Sequence, residues 1–302
     1  MYHKPVLLQE TIDLLAIKPE GTYVDVTFGG GGHSKAILDR LTTGRLIAFD
    51  QDKDALKNTF NDSKFLLINQ NFKFITNFLK FYKAIPVDGI LADLGISSHQ
   101  IDDGNRGFSI RLEGELDLRM DQSQTLSAKH IINTYNADDL KRVFKLYGEL
   151  ENAWQISQKI IAARVEKEIT LTTELLDILK PFAERGRENK FFARVFQALR
   201  IEVNNEIGVL EEFLLQTANI LKPGGRLVII SYHSLEDRLV KNYMRYGNLE
   251  GDIKKDFFGN VIAPFTPVIR KPIVPEESEL TENPRSRSAK LRAAERRSDE
   301  SR

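Results

Sequence analysis

Two aspartates at set distances from a glycine-rich turn are the residues of this chain best suited to chemistry. The block Thr27-Phe28-Gly29-Gly30-Gly31-Gly32-His33-Ser34 follows the apolar run Tyr23-Val24-Asp25-Val26 and leads into the helix-compatible stretch Lys35 to Leu41. A strand that turns through glycines into a helix makes a nucleotide cradle, because glycine admits φ > 0 and close ligand approach while the first N–H groups of the helix point into the cleft. Spacing narrows the ligand. The dinucleotide pattern G-x-G-x-x-G needs glycine where Ser34 stands, and the phosphate loop G-x-x-x-x-G-K-[ST] fails there too, with Ala36 after Lys35. Asp50 closes Arg45-Leu46-Ile47-Ala48-Phe49-Asp50, 19 residues past Gly31, where a strand-end carboxylate accepts ribose hydroxyls. A nucleoside cofactor without a pyrophosphate satisfies both facts, and S-adenosylmethionine is the common one. The plain alternative is a structural turn with Asp50 solvated.

Asp93 ends the run Asp88-Gly89-Ile90-Leu91-Ala92-Asp93, at the topological switch point of such a sheet, where a carboxylate meets ligand or substrate. Methyl transfer from a sulfonium is an in-line displacement, accelerated by holding donor and acceptor together. An exocyclic amine has its lone pair drawn into the ring, so a hydrogen-bond acceptor on its N–H sharpens it. Asp93 and the carbonyl of Leu94 are the candidates, against the alternative that Asp93 caps a turn through Ser97 or Ser98. No metal site is expected, since His33, His99 and His233 lack a second ligand at a recognisable spacing.

The elements that must position these groups alternate. Apolar, β-rich runs at Tyr23 to Thr27, Arg45 to Phe49, Phe65 to Ile68, Val87 to Leu91 and Arg226 to Ser231 predict a parallel sheet covered on both faces. Helices are expected at Ser34 to Leu41, Asp52 to Phe60 and Phe72 to Phe81, with Phe74, Phe78 and Phe81 as core. Leu91 and Arg226 lie 135 residues apart, where one crossover needs about thirty, so roughly a hundred residues are inserted. Their pattern is helical, at Ser127 to Thr134, Ala137 to Tyr147, Glu151 to Lys167 and Thr172 to Leu179. The expected organisation is residues 1–104 and 191–282 as the sheet domain, 105–190 as a helical insert and 283–302 as a basic tail. The insert is expected to overhang the cofactor cleft and cover a substrate; alternatively it thickens the fold or makes a homodimer contact. Asn189 to Leu221 should return the chain to the sheet, and Ser234 with Asp237 approximates the S-x-x-[DE] start of a further helix.

Composition sets the outer bounds. The 302 residues are 41% apolar and 28% charged, as in an ordinary globular chain. Zero Cys excludes disulfides, thiolate metal sites and cysteine nucleophiles. Met1 to Pro5 lacks a signal-peptide plan and no apolar run reaches the ~18 residues of a membrane span, so the cytoplasm is the expected compartment and no membrane partner is expected. Forty-three basic residues cancel 43 acidic ones, so a nucleic-acid surface must come from local clustering.

Six blocks in order carry a resemblance: Thr27 to Ser34, Asp93 to Ser98, Asp102 to Ser109, Phe196 to Ile201, Ser231 to Arg238 and Asn283 to Ser288. From His3 to about Arg297 the chain resembles the bacterial small-subunit ribosomal RNA cytosine-N4 methyltransferase family. That resemblance implies an α/β, Rossmann-like class I S-adenosylmethionine-dependent methyltransferase sheet with an inserted all-helical domain. It also implies N4-methylation of a cytidine in the decoding region of 16S rRNA, within the small ribosomal subunit or its late precursor. Mapped by motif, it implies cofactor contacts from Gly31, Gly32, His33, Asp50, Phe72, Asp93 and Gln100; Asp93 is also the catalytic candidate by its place in the sheet. Phe72 follows the third strand, where an aromatic face can cover adenine. Where the family often shows Gly-Pro-Leu-Asp-Met-Arg-Met-Asp, this chain reads Gly114-Glu115-Leu116-Asp117-Leu118-Arg119-Met120-Asp121, and Phe192-Ala193-Arg194-Val195 replaces a Pro-Ala-Thr-Arg, so roles for that Pro and Thr do not carry over. Many amine methyltransferases place Pro-Pro and an aromatic after the strand-four acid. Leu94-Gly95-Ile96 offers no ring to stack on a base, which leaves Tyr232 or Phe108 to supply one. Arg106, Arg111 and Arg119 are the expected RNA contacts, and six basic residues between Asn283 and Arg297 are either a phosphate stripe or a solvated face. Competing readings are a methyltransferase for another amine, in DNA, protein or a small molecule, and a catalytically silent RNA-binding assembly factor.

Overall fold

The computed structural model describes residues 5–298; Met1 to Lys4 and the end of the chain from Asp299 to Arg302 lie outside them. In chain order a first half comprises α1 (Leu8–Leu15), β1 (Thr22–Asp25), α2 (Gly32–Leu38), β2 (Arg45–Phe49), β3 (Phe65–Ile68), α3 (Ile75–Phe81) and β4 (Val87–Asp93). A helical stretch follows with α4 (Ser98–Asp102), α5 (Ala128–Thr134), α6 (Ala137–Leu146), α7 (Ala153–Glu166), α8 (Thr172–Leu179) and α9 (Glu188–Asn204). The chain then runs through α10 (Glu206–Ile220), β5 (Leu221–Ser231), α11 (Ser234–Tyr246), β6 (Phe265–Pro267), α12 (Glu277–Glu282) and β7 (Lys290–Arg296). Two compact units result, Met1–Gly95 with Ile207–Arg302, and Ile96–Glu206.

The first unit is a seven-stranded sheet of order β3-β2-β1-β4-β5-β7-β6, with β1 to β5 parallel and β7 antiparallel to β5 and β6. Strand periodicity of two sends alternate residues to opposite faces, so continuous apolar runs bury both. Ile90 and Ala92 of β4 join Val24, Ile47 and Ile229 in a cluster closed by Ile75 of α3, Phe213 of α10 and Tyr243 of α11. Leu91 faces the other way, with Tyr23, Leu46, Val228 and Ile230, under Ile12 of α1 and Ile37 of α2.

Four expectations change here. The stretch from residue 283 is no basic tail: β7 lies inside the sheet, with Leu291 and Ala293 in one face's cluster and Ala294 in the other's. Of the aromatics expected as core in α3 and the turn before it, Phe74 and Phe81 are exposed, while Ile75 and Leu79 are buried and Phe78 is half-buried, edge-on to Phe49. The fifth strand, expected from Arg226, begins at Leu221: Lys222 to Gly225 form a bulge within β5, and pairing with β4 resumes at Gly89↔Arg226. The cap of α11 is His233, whose partner in a capping box is Glu236, one residue earlier than the pair expected.

The second unit is all helical. Its core joins Ile131 of α5, Phe144 of α6, Ile156 and Ile160 of α7, Leu175 of α8 and Leu199 of α9. Ser127 and Asn136 cap α5 and α6 by accepting the N–H groups of His130 and Asp139. The unit spans residues 96–206, wider than the expected 105–190. The apolar stripe Val195, Phe196, Leu199 and Val203 of α9, expected to lead back to the sheet, packs instead into this helical core. The break between α9 and α10 falls at Asn205, in the left-handed region at φ 48°.

Candidate active site

The carboxyl ends of β1, β4 and β5, neighbours in the sheet, bring Asp25, Asp93 and Tyr232 into one hydrogen-bonded array. The Tyr232 hydroxyl donates to Asp93 Oδ1 at 2.8 Å. Tyr232 lies close over Gly95, where a Cβ would stand 3.4 Å from its ring. Thr27 Oγ1 accepts the Asp93 N–H at 2.6 Å, and the Thr27 N–H donates to Asp25 Oδ1 at 3.1 Å. Asp25, buried, also accepts the Ser34 hydroxyl at 2.7 Å. The second Asp93 oxygen, Oδ2, stands 3.7 Å from His33 Nδ1, beyond hydrogen-bond distance.

Burial shifts the protonation of three members of this site. Burial pushes the Asp93 carboxyl up to about 7; the Tyr232 hydrogen bond opposes this, and the charges of Glu236 and Glu279 add to it. Burial likewise lowers His33. Its Nε2 lies 3.0 Å from the Val6 carbonyl, which can only accept, so Nε2 carries the proton and Nδ1 faces Asp93 with a lone pair. Tyr232 is raised well above its ordinary value, burial first and the Asp93 charge second, so it stays a donor.

The glycine turn sits one strand away. Gly31 adopts φ +77°, and a Cβ there would come within 2.8 Å of Phe60; at Gly32 it would strike Pro5 at 2.2 Å. These glycines are therefore required by protein packing as well as by the turn. Asp50 follows β2 and accepts the Gly29 N–H on Oδ2 at 2.7 Å and the Asp52 N–H on Oδ1 at 2.8 Å. A carboxylate offers about four acceptor sites, so both oxygens keep capacity for a diol. Burial raises Asp50 to about 6, which leaves it ionised at neutral pH. Phe72, half-buried after β3, meets Phe213 edge-on with centroids 5.2 Å apart. An ionised diol acceptor, an uncapped helix start at Gly31 and a partly open aromatic ring suit a nucleoside without phosphates.

The remaining expected site residues lie in the helical unit. Gln100 is buried, at 4% exposure, and its side-chain carbonyl accepts the Ser97 N–H in a capping box on α4. Arg106, expected to meet RNA, is 2% exposed and donates to the carbonyls of Arg119 and Met120, so it holds a loop together. Phe108 is likewise a core residue beside Leu116 and Leu118, which removes it as a ring for the base. Arg119 is half-buried in a fork on Asp117, with further bonds to the carbonyls of Gln122 and Gln124. Arg111 alone of the three stays exposed.

Most of the C-terminal basic stripe is spent structurally. Lys290 and Arg292 pair with Asp237, and Arg296 is buried, donating to the Ala218 carbonyl. Arg285 and Arg287 remain exposed. The sequence reading missed the supporting roles of Asp25, Thr27 and Ser34, all of which sat in or beside the quoted glycine block. It also missed Glu279 of α12, which accepts the Leu7 N–H at 2.9 Å and carries no motif.

A doubly wound sheet of this order with a reversed seventh strand, a glycine turn after β1 and acids closing β2 and β4 define a class I S-adenosylmethionine-dependent methyltransferase. The model of the MraW methylase family matches residues 1–297, and the chain belongs to that family. The ribosomal RNA small subunit methyltransferase H of Bacteroides fragilis (strain YCH46) is 54% identical over 98% of each chain. Proteins of the same name from Flavobacterium johnsoniae and Amoebophilus asiaticus are 55% and 54% identical over 98% of this chain, covering 98% and 96% of their own. A solved rRNA methylase from Streptococcus thermophilus aligns over 98% of both chains with 13% identity and a TM-score of 0.44, too distant to carry an argument about this one. Among the described residues no helix is long and apolar enough to cross a membrane.

Proposed function

We propose that this methyltransferase modifies the exocyclic N4 of a cytidine in the decoding region of 16S rRNA, on the small ribosomal subunit or its late precursor. The relatives' shared name supports the ribosomal RNA acceptor. The observation that carries the amine chemistry is Asp93, with Oδ1 held by Tyr232 and Oδ2 not so held.

S-adenosylmethionine supplies an electrophilic methyl group on a sulfonium. As the nitrogen–methyl bond forms and the sulfur–methyl bond breaks, one amine proton must leave. In our reading Asp93 Oδ2 accepts it, after first drawing on the N–H and raising electron density at nitrogen. Tyr232 fixes the carboxylate in one orientation, and the neutral His33 faces the protonated product form with a lone pair rather than a competing proton. Gly31 and Gly32 would line the methionine and ribose portion, Asp50 would receive the ribose hydroxyls, and Phe72 would cover adenine. RNA recognition falls in this reading to the helical unit, with Arg111 exposed for phosphate contact.

Transfer of a tritiated methyl group from labelled donor tests the acceptor. Label entering 16S rRNA of small subunits from cells lacking the protein, and not free DNA, is the expected result. Label in DNA or protein instead would overturn the acceptor while leaving the methyltransferase.

A further inference from the structure

The hairpin from Lys254 to Ile262 in the sheet unit carries two phenyl rings in open solvent. Phe257 is 98% exposed and Phe258 86% exposed. The turn that displays them is ordered by polar bonds rather than by packing. Asp256 accepts the N–H groups of Phe258 and Asn260 at 2.9 Å each and the Asn260 side-chain amide at 3.1 Å, while Gly259 takes φ +86°. Below the tip, Lys255 and Val261 form an antiparallel bridge, and Arg297, just past β7, donates to the Val261 carbonyl at 2.9 Å. The tip is thus tied to the central sheet.

Resting on the RNA reading above, we propose that Phe257 and Phe258 are a stacking wedge for unpaired bases of the RNA substrate, with Lys254 and Lys255 on the flanking phosphates. Three observations favour RNA over an apolar protein surface. The two rings stand at 87° with centroids 5.7 Å apart, so they present a face and an edge, not one flat apolar patch. Both lysines are exposed on the same hairpin, outnumbering its one acid, Asp256, whose exposed carboxylate is engaged by the N–H groups of the turn. The chain has no net charge, and much of its C-terminal basic stripe is bound in the sheet, so affinity for a polyanion needs local features such as this one. Aromatic rings beside cations form a platform that tolerates any base, because every base has a π-face.

The test uses the full-length protein and its F257A/F258A and K254A/K255A variants, with small subunits from cells lacking the protein and with protein-free 16S rRNA as acceptors. Stacking at ~1–3 kcal/mol per base corresponds to a KM rise of about 10- to 100-fold for F257A/F258A on both acceptors, with kcat within about twofold. The expected K254A/K255A result is a shallower dependence of affinity on salt, by up to about two phosphate contacts. Thermal midpoints should match the wild type, since these side chains touch no core. An unchanged KM overturns the proposal, and so does a rise seen with intact subunits alone, which would assign the tip to a ribosomal protein. Wild-type protein that methylates no ribosomal RNA would overturn the RNA reading itself and the proposal with it; wild-type methylation of ribosomal RNA with an unchanged KM for F257A/F258A overturns the proposal alone.

Discussion

The hydroxyl of Tyr232 donates to Oδ1 of Asp93 across 2.8 Å, joining the ends of two adjacent parallel strands. A hydrogen bond to a charged group contributes about 1.5–3 kcal/mol, and here it opposes the burial that raises Asp93. Tyr232→Phe should therefore lower kcat by about 10- to 100-fold at pH 7 and move the acid limb of the pH profile upward. Cofactor affinity by calorimetry should stay within about threefold. Unchanged kcat and an unshifted limb would show the bond to be incidental.

Asp93 must be ionised to take a proton, and its carboxyl sits at about 7. The profile of kcat/KM, which reports the free enzyme, should rise with pH and level off above that value. A flat profile from pH 6 to 8 would remove Asp93 as the acceptor.

The same shift couples folding to pH. An acid raised from 3.8 to about 7 in the folded chain favours folding below its unfolded value, and that contribution is lost as pH rises through about 7. Ionising Asp93 at pH 8 then costs the cofactor-free protein up to about 4 kcal/mol, at ~1.4 kcal/mol per pH unit. Asp93→Asn should raise the thermal midpoint at pH 8 and do so less at pH 5, as read by paired melts. An equal gain at both values would point to packing instead of charge.

Asp50 offers a ligand test. Ribose hydroxyls donate to its carboxylate, so binding favours the ionised form, and the group stands at about 6. Calorimetric affinity for S-adenosylmethionine should weaken as pH falls from 7 to 5, and Asp50→Ala should bind at least tenfold more weakly at pH 7.5. Binding indifferent to both would place the ribose elsewhere.

The first five strands and α5 to α8 of the helical unit were legible because their patterns are local: apolar runs such as Val87 to Leu91, and helical stretches such as Ala137 to Tyr147. β7 was not. Lys290-Leu291-Arg292-Ala293-Ala294-Glu295-Arg296 has four charged residues in seven, and it is accommodated in the sheet by partners far away in sequence, Asp237 for Lys290 and Arg292, Arg226 for Glu295 and the Ala218 carbonyl for Arg296. Arg106 failed as an RNA contact for the same reason, since two backbone carbonyls accept from its Nη2 and hold the guanidinium out of solvent. Asp93 and Tyr232 were each visible as residues, but their bond spans 139 positions and only the sheet brings them together.

Largely buried charged groups hold β7 in the sheet. Arg292 and Asp237 are both largely buried at 2.7 Å, so Arg292→Ala leaves an acid with Lys290 as its remaining cation. A loss of about 1–3 kcal/mol in denaturant unfolding is expected, with the salt dependence of RNA binding unchanged. A flatter salt dependence without loss of stability would return the stripe to RNA.

The most direct measurement is mass mapping of methylated nucleosides in 16S rRNA. Small subunits from cells lacking the protein would be incubated with S-adenosylmethionine and either the wild type or Asp93→Asn. The wild type should yield one N4-methylcytidine in the decoding region, and Asp93→Asn, still binding the cofactor, should yield it at least a hundredfold more slowly. A methyl group on any other atom, or full-rate transfer by Asp93→Asn, would contradict the assignment of Asp93 to the cytidine amine.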